Sequence, residues 1–242
     1  MRGRDMGDIQ RMTMADGAGI DVYRAEPAGF PRGSVVVVQE IFGLTDHIRE
    51  VADSYAAEGY LVLAPALFDR EQPGFQAGYE GPDFDRAIEL ARKIHPFDQS
   101  VADVATCVEM LEGVQPVFVV GYCYGGSVAW AAAARVDGIA AASAYYGSMI
   151  PDSTDVPRVP TIAHFGRHDA GIPVEKVEAL AKHPPANAAI HLYDAGHGFN
   201  SDRRKDYDPE SAALARARTL ELFDANSRSA GWMDVSEIDR SS

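Results

Sequence analysis

The chain has 242 residues, 46% of them hydrophobic, enough to bury one sizeable core, and α/β sheets of this length commonly form a single domain. Its 36 acidic and 22 basic residues leave a net charge of −14 with no dense basic block, which argues against a nucleic-acid partner. No apolar run approaches the roughly 20 residues of a membrane helix, and the first ten residues, MRGRDMGDIQ, carry charge but no apolar signal core, so a soluble cytoplasmic protein is expected.

In chain order, IQRMTM and IDVYRAEP come first with no helix between them, which predicts an antiparallel hairpin at a sheet edge. The runs SVVVV, YLVLAP, PVFVV, GIAAASAYYG, PTIAHFG and AAIHLYD then alternate with helical patterns from about residue 34 onward. Strands buried on both faces read as continuous apolar runs, so this alternation predicts a mostly parallel central sheet with helices on both faces. In DHIREVADSYAAEGY the residues Ile48, Val51, Ala52 and Tyr55 recur at helical spacing, with Thr45 or Asp46 as cap and Gly59 as the stop. Further helices are expected in DQSVADVATCVEMLEG, VAWAAAAR, EKVEALAKH and PESAALARARTLELFDAN. The Gly-, Pro- and aromatic-rich stretch from Phe68 to Pro82 follows a strand's carboxyl end, where α/β sheets bind ligands, and reads as a substrate-lining loop. The tail at 226–242 has few apolar residues and reads as peripheral to a single domain spanning 1–242.

The two cysteines, Cys107 and Cys123, belong to no C-x-x-C pair and no His/Cys cluster, so neither a zinc site nor a disulfide framework is expected. Cys107 falls on the apolar side of a helix and Trp130 in the core. Cys123 is different. It sits in Gly121-Tyr122-Cys123-Tyr124-Gly125-Gly126, between an apolar strand and a helix, which is the pattern of a nucleophile elbow with cysteine in place of serine. The sharp turn needs small residues two positions either side, and it sets the thiol at a helix N-terminus that favours negative charge. Asp169, in GRHDAGIP, and His197, in AGHGFN, follow later strands in the order nucleophile, acid, histidine. His164, His168 and His191 are weaker candidates. Glu40 follows four valines at a strand's carboxyl end on the same rim, and the N–H groups of Ile41 and Tyr124 can form an oxyanion hole.

The combination of QEIFGL, GYCYGGS, GRHDAGIP and AGHGFN resembles dienelactone hydrolase (carboxymethylenebutenolidase), a cysteine-dependent family of the α/β-hydrolase fold, from about residue 8 to 225. The resemblance implies a triad of Cys123, His197 and Asp169 with Glu40 regulating the thiol, and hydrolysis of a lactone or enol-lactone. It implies no metal and no organic cofactor. A carboxylate beside Cys123 opposes a second negative charge while the helix N-terminus and His197 favour it, so the resting thiol is expected to stay protonated until an anionic substrate displaces the glutamate. The family's characterised members hold the substrate carboxylate with an arginine closely after the catalytic histidine and another after the second core strand; here Asn200 and Ser201 stand where the first is sought. Candidates for substrate contact are Arg70, Arg86, Phe42, Tyr122, Tyr146, Phe199 and Arg203, with Arg204 beside the last, although surface solvation suits any one of these arginines. The expected partner is a small, anionic lactone or ester, and the expected assembly a monomer or small homo-oligomer. A general carboxylesterase or thioesterase on the same site, and a non-catalytic ligand-binding or redox-sensing protein, are the rival readings.

Overall fold

The computed structural model describes residues 7–227. Two strands, β1 (Gly7–Thr13) and β2 (Gly19–Ala25), form the expected antiparallel hairpin, and β2 pairs antiparallel with β4 (Leu61–Pro65). The other strands, β3 (Ser34–Val38), β5 (Val117–Tyr122), β6 (Ile139–Tyr145), β7 (Thr161–Gly166) and β8 (Ala188–Tyr193), run parallel to β4 in one eight-stranded sheet of order β1-β2-β4-β3-β5-β6-β7-β8. The chain therefore crosses over between β3 and β5, and ligands of such sheets bind at the carboxyl ends beside that switch.

Alternation along the strands divides the core. Val35 and Val37 face one side, with Ile48, Val51 and Tyr55 of α1 (Asp46–Ala57) and Phe223 of α6 (Pro209–Ser227). Val36 and Val38 face the other, with Val104, Cys107 and Val108 of α3 (Phe97–Met110) and Val128 and Ala132 of α4 (Tyr124–Arg135). Every residue of β3, β4, β5 and β7 is buried, the physical reason their sequences read as unbroken apolar runs. Helix α1 starts as its sequence suggests: the Thr45 hydroxyl accepts from the Ile48 N–H, and Gly59 takes φ +94° just past its end. The remaining helix, α5 (Val174–Lys182), lies between β7 and β8.

One pair of elements has no counterpart in the sequence reading. Residues placed in or just beyond a loop form α2 (Gly81–Glu89), which runs straight into a π turn over Leu90–Ile94 closed by the His95 N–H on the Leu90 carbonyl at 2.8 Å. Their helical signal is the stripe Phe84, Ile88, Ala91 and His95, which the Gly- and Pro-rich segment before it conceals. The reading of 226–242 as a peripheral tail falls largely on residues 228–242, outside the described residues; Asn226 and Ser227 belong to α6.

Candidate active site

The elbow shows why glycine is needed at its flanks. Cys123 has φ +55° and ψ −114°, a conformation that costs an L-residue of order 1–3 kcal/mol and persists only where the surroundings enforce it. The enforcement is backbone contact. A Cβ on Gly121 would lie 1.9 Å from the Gly125 carbonyl oxygen, and one on Gly125 would lie 2.3 Å from that of Val38. The Cys123 N–H donates to the Tyr145 carbonyl at 2.9 Å, tying the elbow to the end of β6. Its side chain is left half-buried, facing a cavity.

Two further loops converge on it. The His168 N–H donates to the Ala195 carbonyl at 3.0 Å, and Gly166 lets the loops after β7 and β8 touch, since a Cβ there would lie 2.2 Å from the Ala195 oxygen. Asp169 and His197 are thereby held together: His197 Nδ1 and Asp169 Oδ2 are 2.6 Å apart, and His197 Nε2 and Cys123 Sγ are 3.2 Å apart. The Asp169 carboxylate is wholly buried and also accepts from the Gly171 N–H at 2.8 Å. Burial works against the imidazolium, but the charge of Cys123 and hydrogen bonds to Asp169 and Cys123 outweigh it, and the His197 pKa is raised to about 10. The arrangement can pass a proton between sulfur and imidazole.

Glu40 directly follows Gln39, whose side chain donates to the Glu40 carbonyl at 3.2 Å and accepts from the Leu67 N–H at 3.1 Å, locking this stretch to the chain after β4. The Glu40 carboxylate is buried, and neither oxygen meets a hydrogen-bond donor among the described residues. Its counter-charge is Arg204, 3.7 Å away. That guanidinium lies over the rings of Phe42 and Tyr79, at 5.6 and 5.7 Å, and folds across Gly198, where a Cβ would be 2.7 Å from its Cδ. Tyr146, at φ +39°, packs its ring against that of His197 at 5.1 Å. Burial, then the negative charges of Glu40 and Cys123, push the Tyr146 phenol well up.

The cavity measures about 650 Å³, and its lining includes Cys123, His197, Ile41, Phe42 and Tyr124. The α2–π turn segment supplies one wall, with Phe84, Ile88, Ala91, Arg92 and His95. His95 is buried, with Nδ1 3.0 Å from each Glu71 oxygen and Nε2 2.9 Å from Ser100 Oγ; that hydroxyl is in turn 2.9 Å from the hydroxyl of Tyr124, the residue after Cys123. Burial raises the Tyr124 pKa to about 12, so its hydroxyl stays protonated in this chain of bonds.

Several sequence candidates lie elsewhere. The loop from Phe68 to Pro82 does not line this cavity; its place is taken by α2 and the π turn, because a bridge between Gly43 and Gln76 turns the loop along the outside of the Phe42 segment. Arg70 is bound to Asp103 and Asp16, Arg86 to Glu89 and Gln72, and Arg203 to both carboxylate oxygens of Glu50, all outside the cavity. Tyr122, Tyr146 and Phe199 are buried in the core cluster rather than facing substrate space. Of the arginines weighed in the sequence, Arg204 is the one that reaches the cavity, and Arg92 and the His95 network are positions the sequence reading passed over. Among the described residues one further group, His47, Glu50 and Asp202, brings together side chains of metal-ligand type, but Arg203 already holds Glu50.

A model of the dienelactone hydrolase family matches residues 20–227. The chain belongs to the dienelactone hydrolase family. It is 33% identical over 225 residues to a Synechocystis protein named "Putative carboxymethylenebutenolidase", covering 83% of this chain and 89% of that protein. It is also 30% identical over 233 residues to "Carboxymethylenebutenolidase 1" of Cupriavidus pinatubonensis, covering 90% and 97%. The crystal structure of a "Putative Dienelactone Hydrolase" from Klebsiella pneumoniae superposes with a TM-score of 0.78 at 30% identity, over 90% of this chain and 98% of that one. The protein is thus an α/β-hydrolase-fold enzyme acting on carboxylic esters, and among the described residues no helix is long and apolar enough to cross a membrane.

Proposed function

We propose that this dienelactone hydrolase opens a lactone or enol-lactone ring through Cys123, with His197 and Asp169 as its proton-transfer partners. The observation that carries the reading is the unbroken contact from Asp169 Oδ2 through His197 to Cys123 Sγ, at 2.6 and 3.2 Å. His197 Nε2 takes the thiol proton, Asp169 accepts from Nδ1–H and steadies the imidazolium, and the thiolate attacks the ester carbonyl. The N–H groups of Ile41 and Tyr124 receive the developing oxyanion; that of Tyr124 opens α4 and so has no acceptor within the helix. Collapse breaks the ring C–O bond, His197 Nε2–H protonates the departing enolate or alkoxide, and an acyl-thioester remains. Water, deprotonated by His197, attacks that thioester and releases the open-chain acid and the thiol.

Glu40 and Arg204 set the charge beside the nucleophile. An unshielded carboxylate there disfavours the thiolate, and Arg204 at 3.7 Å supplies the counter-charge. A substrate anion that draws Arg204 away removes that counter-charge and so shifts the balance of charge around Cys123. No metal or organic cofactor enters these steps.

The test is loss of the conjugated-lactone ultraviolet absorbance when the protein meets dienelactone, run beside Cys123→Ala and a simple aryl acetate. Lactone turnover that disappears in the variant is the expected result. Turnover that survives in Cys123→Ala would overturn the nucleophile assignment, and turnover of the aryl acetate alone would move the protein to a general carboxylesterase.

A further inference from the structure

Outside the catalytic cavity, His47 is a buried group that the proposed reaction does not use. It lies in the first turn of α1, is only 6% exposed, and its Nε2 is buried with no hydrogen-bond partner among the described residues. Folded proteins seldom leave a buried imidazole nitrogen unmatched, so such an atom calls for a water or an ion.

Two carboxylates converge on it. Glu50, one turn further along α1, and Asp202, in the loop between β8 and α6 that also carries His197, each bring an oxygen within 4.8 Å of a His47 ring nitrogen and of one another. Residues three apart on a helix share a face, which sets His47 and Glu50 side by side. The same two carboxylates already attract a cation: Arg203 meets the Glu50 oxygens at 2.6 and 2.7 Å and Asp202 at 3.3 Å. Those ion pairs are open to water, with 46%, 53% and 61% of the Arg203, Glu50 and Asp202 side chains exposed, so displacing the guanidinium costs little.

One imidazole and two carboxylates form a donor set for zinc, whose bonds to nitrogen and oxygen are about 2.0–2.2 Å long. Ligand atoms around such an ion lie about 3.3 Å apart in a tetrahedron. The cluster therefore has to close by at most about 1.5 Å, within the rotamer freedom of two exposed side chains. A cleft of about 360 Å³, lined by His47 and Arg203 with Thr45, Gln76 and Tyr79, gives access.

We propose that His47, Glu50 and Asp202 bind a divalent transition-metal ion of the zinc type, water completing its coordination and Arg203 swinging out as it enters. None of the three residues lines the catalytic cavity, so the ion takes no part in bond making. It ties the start of α1 to the loop that carries His197.

The experiment titrates Zn²⁺ into Cys123→Ala protein and follows bound metal by equilibrium dialysis. That variant removes the thiol of the cavity as a competing ligand, and the other cysteine, Cys107, is wholly buried. One ion per chain is expected, with affinity falling about tenfold or more in Asp202→Asn, Glu50→Gln and His47→Gln. Arg203→Gln, which removes the competing cation, should tighten binding. At free Zn²⁺ about ten times Kd the melting temperature should rise by about 4 °C, a rise that Asp202→Asn abolishes. Asp202, Glu50 and Arg203 are exposed, so their variants decide the matter even where His47→Gln fails to fold. Absence of bound metal, or an affinity left unchanged by Asp202→Asn and Glu50→Gln, would overturn the proposal.

Discussion

The carboxyl ends of β5, β7 and β8 and the wall formed by α2 and its π turn meet across one cavity but are built on different principles. In the first region the chemistry-bearing side chains are placed by backbone touching backbone: Gly121 and Gly125 at the elbow, Gly166 between the loops of Asp169 and His197. In the second, side chains on a helical stripe define the surface; of the glycines before it, Gly74 and Gly81 have open space around them and a Cβ on Gly78 would meet only the Asp83 side chain, at 3.3 Å. The reactive geometry therefore tolerates little change, whereas the wall can vary its chemistry residue by residue without disturbing the elbow.

The sharpest way to break that contrast is Gly125→Ala. The new methyl would meet the Val38 and Gln39 carbonyl oxygens at 2.3 and 2.5 Å, both backbone, so a loss of about 3 kcal/mol or more in urea unfolding is expected, with activity lost as well. Gly74→Ala, at φ +68° with nothing nearby, should cost only the smaller backbone penalty of about 1 kcal/mol. Similar losses for the two would remove the distinction.

Next in size is Asp169→Asn, which keeps the shape but presents the wrong hydrogen-bond partner to His197 Nδ1. A fall in kcat of roughly 10²- to 10⁴-fold is expected, with the fold intact by circular dichroism.

The pH behaviour sharpens the comparison within the first region. The folded pKa of His197, about 10, lies above its ordinary value of 6.5, so its charged form contributes stability that is fully present below pH 6.5 and lost as pH rises through 10. Among the groups raising it, Cys123 comes first, so in Cys123→Ala the His197 ring should titrate at distinctly lower pH, read from its imidazole NMR resonances. An unchanged titration would mean that no charge resides on Cys123 in the wild type.

The smallest effect should come from Ser100→Ala, which severs the link between His95 and the Tyr124 hydroxyl. Tyr124 keeps its backbone place in α4, so a kcat reduction of less than about tenfold is expected, with KM for a neutral aryl ester unchanged.

Much of this molecule is legible without coordinates, for reasons visible in particular residues. SVVVV and PVFVV are read as buried strands because both faces of the sheet are covered, and Gly121 and Gly125 announce a turn whose backbone leaves no room for a side chain. The arginines are a different matter. Arg70, Arg86, Arg203 and Arg204 look alike in the chain, and what separates them is where their carboxylate lies: Asp103, Glu89 and Glu50 hold the first three outside the cavity, while Arg204 faces the buried Glu40 at its edge. Likewise the stripe of α2 offers a periodic signal, but a preceding run of Gly and Pro masks it.

The sequence by itself determined the family, the parallel sheet and the order Cys123, Asp169, His197, because local steric demands and apolar periodicity are written in neighbouring residues. The tertiary structure alone decided that Arg204 rather than Arg203 faces Glu40, that His95 and Ser100 support Tyr124, and that Arg92 stands without an acid at an apolar wall. Charge pairing and cavity shape depend on distances across segments far apart in the chain, and such distances exist only once the sheet has brought those segments together.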